Sequence, residues 1–351
     1  MMTTKNLLES FRDWRDRELP LVLASVFVTE GSTYSKAGAR MLINADGDFQ
    51  GMLSGGCLEG DLAERAREVL DSGSAQMVTY DLGMNAEELW GLGVGCDGLM
   101  RIFLQPLVAE NDYAPFEAIA RAYEGDQPEI AVTVLESERI TPGATLVTAG
   151  GGTDIFGLTD EQSRNLMDVA NVALAYQASS SMSVEIGGAQ ATILLAFIKP
   201  RIRLLVLGAG PDAEPVTRLA DELGWRVTVV DHRPAYIESG DFGSAERVIC
   251  CPAEEMSGNV DLPKFDATIV MSHHLASDRK YLMQLSDSDI RYVGLLGPKD
   301  RRHRLLSELG DCAAGLVDRL HGPAGLDIGA VGPAAIALSI LTEMYGVLGE
   351  R

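Results

Sequence analysis

One cysteine stands in a sequence setting that favours a reactive thiol. Cys57 directly follows Gly55 and Gly56 and precedes a periodic apolar run over residues 58–70 that predicts a helix. Unpaired N–H groups at a helix N-terminus favour negative charge, so a thiol there is biased toward thiolate, the form that binds soft metals and carries sulfur. A small residue that only packs in a tight turn is the alternative interpretation.

Two further glycine-rich segments lie in the same part of the chain. They cover residues 31–40 and residues 90–98, the second of which contains Cys96. Glycine lets backbone amides approach a ligand closely and cradle its oxygens, although glycine-rich turns are also plain connections. We expect both segments to contact a ligand, because they cluster with Cys57 in one unit.

The elements that must position these residues form a small α+β unit. Residues 20–28 and 76–82 predict strands, and residues 40–44 and 49–53 predict a hairpin. Beyond it, residues 112–200 alternate helical and strand patterns without residues assignable to chemistry, which indicates a scaffold or a dimer surface.

From residue 201 the pattern becomes a regular alternation of strands and helices, which is typical of a parallel sheet covered on both faces. Strands are predicted at 203–207, 226–231, 247–251, 267–271 and 292–296. The fold class is therefore α/β, with an N-terminal α+β domain followed by a C-terminal Rossmann-like parallel-sheet domain. We divide the chain into residues 1–110, a middle segment 111–200, and residues 201–351.

The first turn of the C-terminal domain carries a dinucleotide-binding pattern. Gly208 suits the tight turn, Gly210 the close approach of a pyrophosphate, and Asp231 the position where a ribose diol is bound. Pro211 removes an amide donor, however, and Asp212 follows it with a carboxylate that repels a diphosphate.

A pair of histidines adds a second feature to this domain. His273 and His274 follow the strand predicted at 267–271, at the edge where doubly wound sheets bind ligands. Their spacing lacks the i, i+4 geometry of a helical metal site, so hydrogen bonding or contact with a substrate, or with a cofactor at His273, is the better interpretation.

Composition excludes several classes of protein. The 351 residues carry 29 Lys and Arg against 51 Asp and Glu, a net charge of -22 that repels nucleic acid and anionic lipid. No apolar run is long enough to cross a bilayer. Five cysteines without CxxC spacing predict a protein of the reducing cytoplasm, with neither disulfides nor a zinc knuckle.

The chain resembles the XdhC/CoxI family of accessory factors for molybdenum hydroxylases. The resemblance rests on motifs found in the same order at both ends of the chain: Gly31-Ser32-Thr33 with Gly38-Ala39-Arg40-Met41, Gly55-Gly56-Cys57-Leu58-Glu59, Gly91-Leu92-Gly93-Val94-Gly95-Cys96, the turn 208–213, and Gly325-Leu326-Asp327-Ile328-Gly329-Ala330. It departs from the family at Asp97, where members commonly have glycine, and at Pro211, where many have histidine.

The resemblance implies a chaperone more than a turnover enzyme. Such a protein binds molybdenum cofactor, in its molybdopterin or cytosine dinucleotide form, and shields it for sulfuration by a cysteine desulfurase. It then delivers the cofactor to a xanthine dehydrogenase-type or aldehyde oxidase-type apoenzyme, often as a homodimer. Carried onto this chain, Cys57 and then Cys96 would contact the molybdenum centre or its sulfur, while Lys36 or Arg40 would hold the phosphate.

Two other functions remain open at this point. One is an NAD(P)-dependent oxidoreductase in which Gly208, Gly210 and Asp231 bind the nucleotide and His273 or His274 donates a proton. The other is a non-catalytic assembly partner with a vestigial pocket.

Overall fold

A computed structural model describes residues 3–81 and 98–349, so Cys96 and nearly all of the segment 90–98 lie outside the described residues. The chain divides into two compact units, Met1–Pro200 and Arg201–Arg351. The separate middle domain at residues 111–200 stays a prediction. None of the helices in the described part is long and apolar enough to cross a membrane.

The described residues of the N-terminal unit form two antiparallel sheets of five strands each. The first has the order β3-β2-β1-β5-β4 and the second β8-β7-β6-β10-β9. The strands of the first sheet are β1 (Leu21–Glu30), β2 (Arg40–Asn44), β3 (Phe49–Gln50), β4 (Gln76–Asp81) and β5 (Leu99–Leu107). Those of the second are β6 (Glu129–Ser137), β7 (Thr145–Ala149), β8 (Gly152–Phe156), β9 (Ser180–Ile186) and β10 (Ala189–Ile198).

Helices cover both sheets of this unit. They are α1 (Thr4–Asp16), α2 (Glu59–Ser72), α3 (Phe116–Glu124) and α4 (Asp160–Tyr176). Alternate residues of β1 serve different cores: Val22, Ala24 and Val26 pack with α2, whereas Leu21 and Leu23 pack with α1 and α3. Because side chains of a strand alternate between faces, a strand buried on both sides has a nearly continuous apolar sequence, as residues 21–28 have apart from Ser25.

The C-terminal unit has the predicted parallel sheet, with strand order β13-β12-β11-β14-β15-β16. These strands are β11 (Arg203–Leu207), β12 (Arg226–Asp231), β13 (Arg247–Cys250), β14 (Ala267–Val270), β15 (Tyr292–Leu295) and β16 (Leu320–His321). The helices of this unit are α5 (Ala213–Glu222), α6 (Pro234–Ser239), α7 (Met256–Asn259), α8 (Leu275–Leu285), α9 (Lys299–Leu309) and α10 (Pro333–Gly349).

In chain order this is the doubly wound order 3-2-1-4-5-6, which reverses between β11 and β14. The α/β fold class with a Rossmann-like second domain is confirmed. The loops after β11 and β14 meet at the point of reversal, which is where this kind of sheet binds ligands.

Candidate functional site

The loop that carries Cys57 is held at both ends by the core. Leu53 and Leu58 are fully buried beneath α2, and the Cys57 side chain packs against the same cluster while remaining partly exposed. Between them Gly55 and Gly56 adopt positive φ of 82° and 108°, which other residues rarely tolerate. A Cβ placed on Gly56 would meet nothing within 4 Å, so the backbone beside Cys57 faces open space.

A buried carboxylate binds the backbone of this loop. Glu59 is 1% exposed, and its Oε1 accepts hydrogen bonds from the N–H groups of Leu53 and Ser54, both at 2.9 Å. Its Oε2 accepts from the Ser54 hydroxyl at 2.5 Å, from the Gly56 N–H at 3.0 Å and from the Leu58 N–H at 3.2 Å. The anion at the helix start is therefore Glu59, and four amides of the chain just before the helix are already bonded to it.

The same contacts set the ionisation of Glu59. Burial acts to raise the pKa of this carboxyl, but the Ser54 hydroxyl and the backbone N–H groups of Ser54 and Leu53 outweigh burial and hold the pKa below its ordinary value. Glu59 is thus ionised at neutral pH, and an incoming anion gains little from these amides.

The segment 31–40 lies against this loop, as the sequence predicts. The Ser35 hydroxyl donates to the Met52 carbonyl oxygen at 3.1 Å, and the Tyr34 ring lies beside Gly55, where an added Cβ would be 3.3 Å from Cδ2 of the ring. Gly98, the last residue of the segment 90–98, packs on the segment 31–40: an added Cβ there would lie 2.6 Å from the carbonyl oxygen of Ser32. The structure therefore joins the end of one glycine-rich segment to another, and that second segment to the Cys57 loop.

The two predicted phosphate ligands, Lys36 and Arg40, lie in different surroundings. Lys36 is exposed close to Tyr34 in the chain, with its Nζ 3.3 Å from the Thr33 hydroxyl. Arg40 is 8% exposed and donates from Nη1 to the hydroxyl of Tyr123 on α3 at 2.8 Å. Since Arg40 belongs to the face of β2 opposite to α2, the structure does not bring it to the Cys57 loop.

A metal bound at Cys57 has to bring most of its own ligands. Within residues 3–81 and 98–349 no group of three or more His, Cys, Asp or Glu side chains is arranged to hold a metal ion. The four cysteines of that part, Cys57, Cys250, Cys251 and Cys312, are free thiols. One soft sulfur beside an open glycine loop suits a metal ion whose other ligands come from a bound organic molecule.

A separate cavity lies away from this loop. It has a volume of about 630 Å³ and is lined by residues that include Gly73 to Ala75, just past the C-terminal end of α2. Cys57 precedes the other end of the same helix, which at 1.5 Å per residue is roughly 20 Å long. The cavity is therefore not part of the Cys57 site.

In the C-terminal unit, groups at the glycine turn bond to other residues of the chain. The Ala209 N–H donates to Oδ2 of Asp231 at 2.6 Å, and Arg233 grips both oxygens of the same carboxylate, from Nε at 2.9 Å and Nη2 at 2.7 Å. Asp231 is fully buried; burial acts to raise the pKa of this carboxyl, but Arg233 and the Ala209 amide outweigh burial and lower it. The ribose position of a dinucleotide site is thus an internal ion pair.

His273 also lies at the glycine turn and contacts Asp212. Its Nε2 lies 3.0 Å from Oδ2 of Asp212, and its Cδ2 would be 3.6 Å from a Cβ placed on Gly210. His273 adopts φ of 58°, an uncommon conformation for a residue other than glycine. The structure therefore brings Gly208, Gly210, Asp231 and His273 to one turn, where the Asp231 carboxylate and the His273 ring already have partners within the protein.

Two residues near Cys57, namely Glu59 at the end of its loop and Tyr34 in the segment 31–40, have no role assigned to them from the sequence. Glu59 stands out there only as part of a motif, because its partners are mostly backbone groups, which residue types do not report. Its position at the first turn of a helix after two glycines is the available clue, since acidic residues there reach back to free amides. Tyr34 has a clearer signal, as a large aromatic residue inside a glycine-rich segment.

Comparison with known proteins agrees with this architecture. The sequence model of the XdhC and CoxI family matches residues 14–81, and that of the XdhC Rossmann domain matches residues 204–344. The chain is 31% identical over 323 residues to a protein of Bacillus subtilis named as a probable xanthine dehydrogenase subunit, covering 92% of each protein. It is 23% identical to the "Molybdenum cofactor insertion chaperone PaoD" of Escherichia coli, covering 93% of this chain and 83% of that protein.

A solved structure matches over the whole chain. The Bacillus halodurans protein crystallised as "a xanthine dehydrogenase" has a TM-score of 0.79 and 27% identity, and the match covers 100% of this chain and 97% of that one. The N-terminal unit and the Rossmann unit thus occur together in this relative.

Proposed function

Because the chain belongs to the XdhC and CoxI family, we propose that it is a maturation factor that binds molybdenum cofactor and inserts it into a molybdenum hydroxylase. The cofactor is cargo, and the client is an apoenzyme of the xanthine dehydrogenase or aldehyde oxidase type. The names of two relatives support the two halves of this proposal, one through xanthine dehydrogenase and the other through molybdenum cofactor insertion.

The observation that carries the proposal is the setting of Cys57. Its thiol lies at the edge of the core, beside a glycine loop that opens to solvent and whose inward amides are satisfied by Glu59. A soft donor with free space beside it accommodates a bulky dithiolene complex, whose own sulfur atoms complete the coordination of the metal. Cys57 would contact the molybdenum centre or its terminal sulfur, and Lys36 would meet the cofactor's phosphate.

The wider assignment follows from the same proposal. The protein would act in the cytoplasm as a homodimer, keep the cofactor from solvent while a cysteine desulfurase adds the terminal sulfur, and release it to the apoenzyme. Cys96 is a second candidate contact, and it lies outside the described residues.

The first test is cofactor retention by a Cys57→Ala variant. Loss of the sulfur is expected to lower the molybdenum retained after gel filtration by at least about tenfold, by analogy with the loss of affinity when groups around a metal are removed. Metal analysis and the absorbance of the protein fraction measure the retention. Cys312→Ala, which removes another exposed thiol in the C-terminal unit, is the matched control and should retain cofactor as the wild type does.

Equal retention by wild type and Cys57→Ala would remove Cys57 from this role. A second measurement addresses the client: an apoenzyme of the xanthine dehydrogenase type should gain molybdenum and activity when co-expressed with the chain. After maturation the chain should separate from the active enzyme, whereas a resident subunit would stay in fixed stoichiometry with it.

A further inference from the structure

The contacts of Glu59 limit what the Cys57 loop can offer to a ligand. The N–H groups of Leu53, Ser54 and Gly56 donate to this one carboxylate, and that of Leu58 donates to it and to the Ser54 hydroxyl oxygen, so these four backbone amides are not available to an anion. The segment 31–40 supplies an exposed aromatic ring and the exposed ammonium group of Lys36 instead.

The aromatic ring is that of Tyr34, and it is presented rather than buried. Its side chain is 63% exposed, although it lies against the bare backbone of Gly55. An added Cβ on Gly55 would lie 3.3 to 3.7 Å from three ring carbons, so any side chain at this position would press on the ring. The ring therefore contacts the loop and leaves most of its surface to solvent.

The neighbours of Tyr34 fix where this ring stands. The Thr33 hydroxyl donates to the carbonyl oxygen of Ser35 at 2.9 Å, and the Ser35 hydroxyl donates to the Met52 carbonyl oxygen at 3.1 Å. The segment is thus tied to itself and to the chain just before the Cys57 loop. A large apolar side chain held exposed by such bonds is in place before a ligand arrives, which reduces the entropy lost on binding.

We infer that Tyr34 is the platform on which the pterin ring of the cofactor stacks when Cys57 meets its metal. The inference rests on the proposed function and adds the residue that recognises the organic part of the cargo. A flat heteroaromatic ring gains dispersion and electrostatic contact on an aromatic face, and such stacking tolerates variation in the rest of the ligand. Tyr34 is adjacent to Gly55, which is two residues from Cys57, so one molecule can reach both side chains.

Binding of molybdenum cofactor and of a metal-free fluorescent pterin to the full chain tests this inference. Tyr34→Ala is expected to weaken binding of the cofactor roughly tenfold and to abolish quenching of the pterin fluorescence. Tyr34→Phe keeps the ring and should bind within about twofold of the wild type, and Tyr34→Trp should bind as tightly or more tightly. Tyr176→Ala, which removes a tyrosine that is 80% exposed on α4, is the control and should leave both measurements unchanged.

The variants separate this inference from the proposed function. If Tyr34→Ala binds as the wild type does while Cys57→Ala loses cofactor, stacking is overturned and the proposed function stands. If Tyr34→Phe loses as much as Tyr34→Ala, the hydroxyl and not the ring carries the affinity, which also overturns stacking. A wild-type chain that does not bind the cofactor overturns both.

Discussion

A Glu59→Gln variant is expected to lose the ordered Cys57 loop and with it the retention of cofactor. The carboxylate accepts five hydrogen bonds, three of them at Oε2. An amide keeps one acceptor oxygen but turns its NH₂ group toward the N–H group of Gly56, which then loses its acceptor, and toward that of Leu58, which keeps only the Ser54 hydroxyl oxygen at 2.8 Å. We expect the free energy of unfolding of the N-terminal unit to fall by about 3 kcal/mol.

Urea denaturation and molybdenum retention measure the two parts of this prediction. Glu64→Gln is the matched control, because Glu64 lies on the same helix α2 with its side chain exposed, and its loss should change stability by less than about 0.5 kcal/mol. A Glu59→Gln variant that equals the Glu64→Gln variant in both measurements would show that the carboxylate does not organise the loop.

Acid provides an independent check on Glu59. Its pKa is lower in the folded protein than the ordinary value of 4.5, so the folded state binds the proton less readily than the unfolded chain does. The stability that it contributes is therefore present above pH 4.5 and is lost as the pH falls below that value through the folded pKa. The wild type should approach the Glu59→Gln variant in stability over this acid range, and a constant difference would contradict the prediction.

The fold was predictable from the sequence where buried strands appear as runs of apolar residues. Strands β11 and β12 match the predicted bounds because residues 203–207 and 226–231 are short apolar runs between polar turns. In the N-terminal unit the strand β1 was recognisable for the same reason. Helix α2 also begins within one residue of its predicted start, but the sequence does not show that the amides just before the helix bond to the Glu59 carboxylate.

The sequence predicts where the site lies, but it does not predict which groups the site residues bind. The contact between the segment 31–40 and the Cys57 loop follows from their places at the ends of neighbouring strands. That Arg40 faces α3, however, depends on which side of β2 is covered by which helix, and the residue itself does not reveal it. Asp231 also looked like a free ribose ligand, because the guanidinium that binds it belongs to Arg233, outside the strand and two residues on.

The largest effect in the C-terminal unit is expected for Gly208→Ala. Gly208 has φ of 128°, and an added Cβ would lie 2.6 Å from the carbonyl carbon and oxygen of Met271 and 2.7 Å from the backbone nitrogen of Ser272. These are backbone atoms at the reversal of strand order, which cannot turn aside as a side chain can. We expect a loss of at least about 3 kcal/mol in the stability of this unit, measured by denaturant unfolding.

Gly210→Ala separates a structural turn from a nucleotide site. An added Cβ on Gly210 would meet only His273, at ordinary van der Waals distance, so the variant should unfold within about 0.5 kcal/mol of the wild type. In a dinucleotide site the same methyl group would block the approach of the pyrophosphate. Because Asp231, Arg233 and His273 already fill this turn, we expect neither protein to bind NADH or NADPH in a fluorescence titration, and both to mature the client enzyme equally. Saturable binding by the wild type that Gly210→Ala removes would instead make the turn a nucleotide site and favour an oxidoreductase.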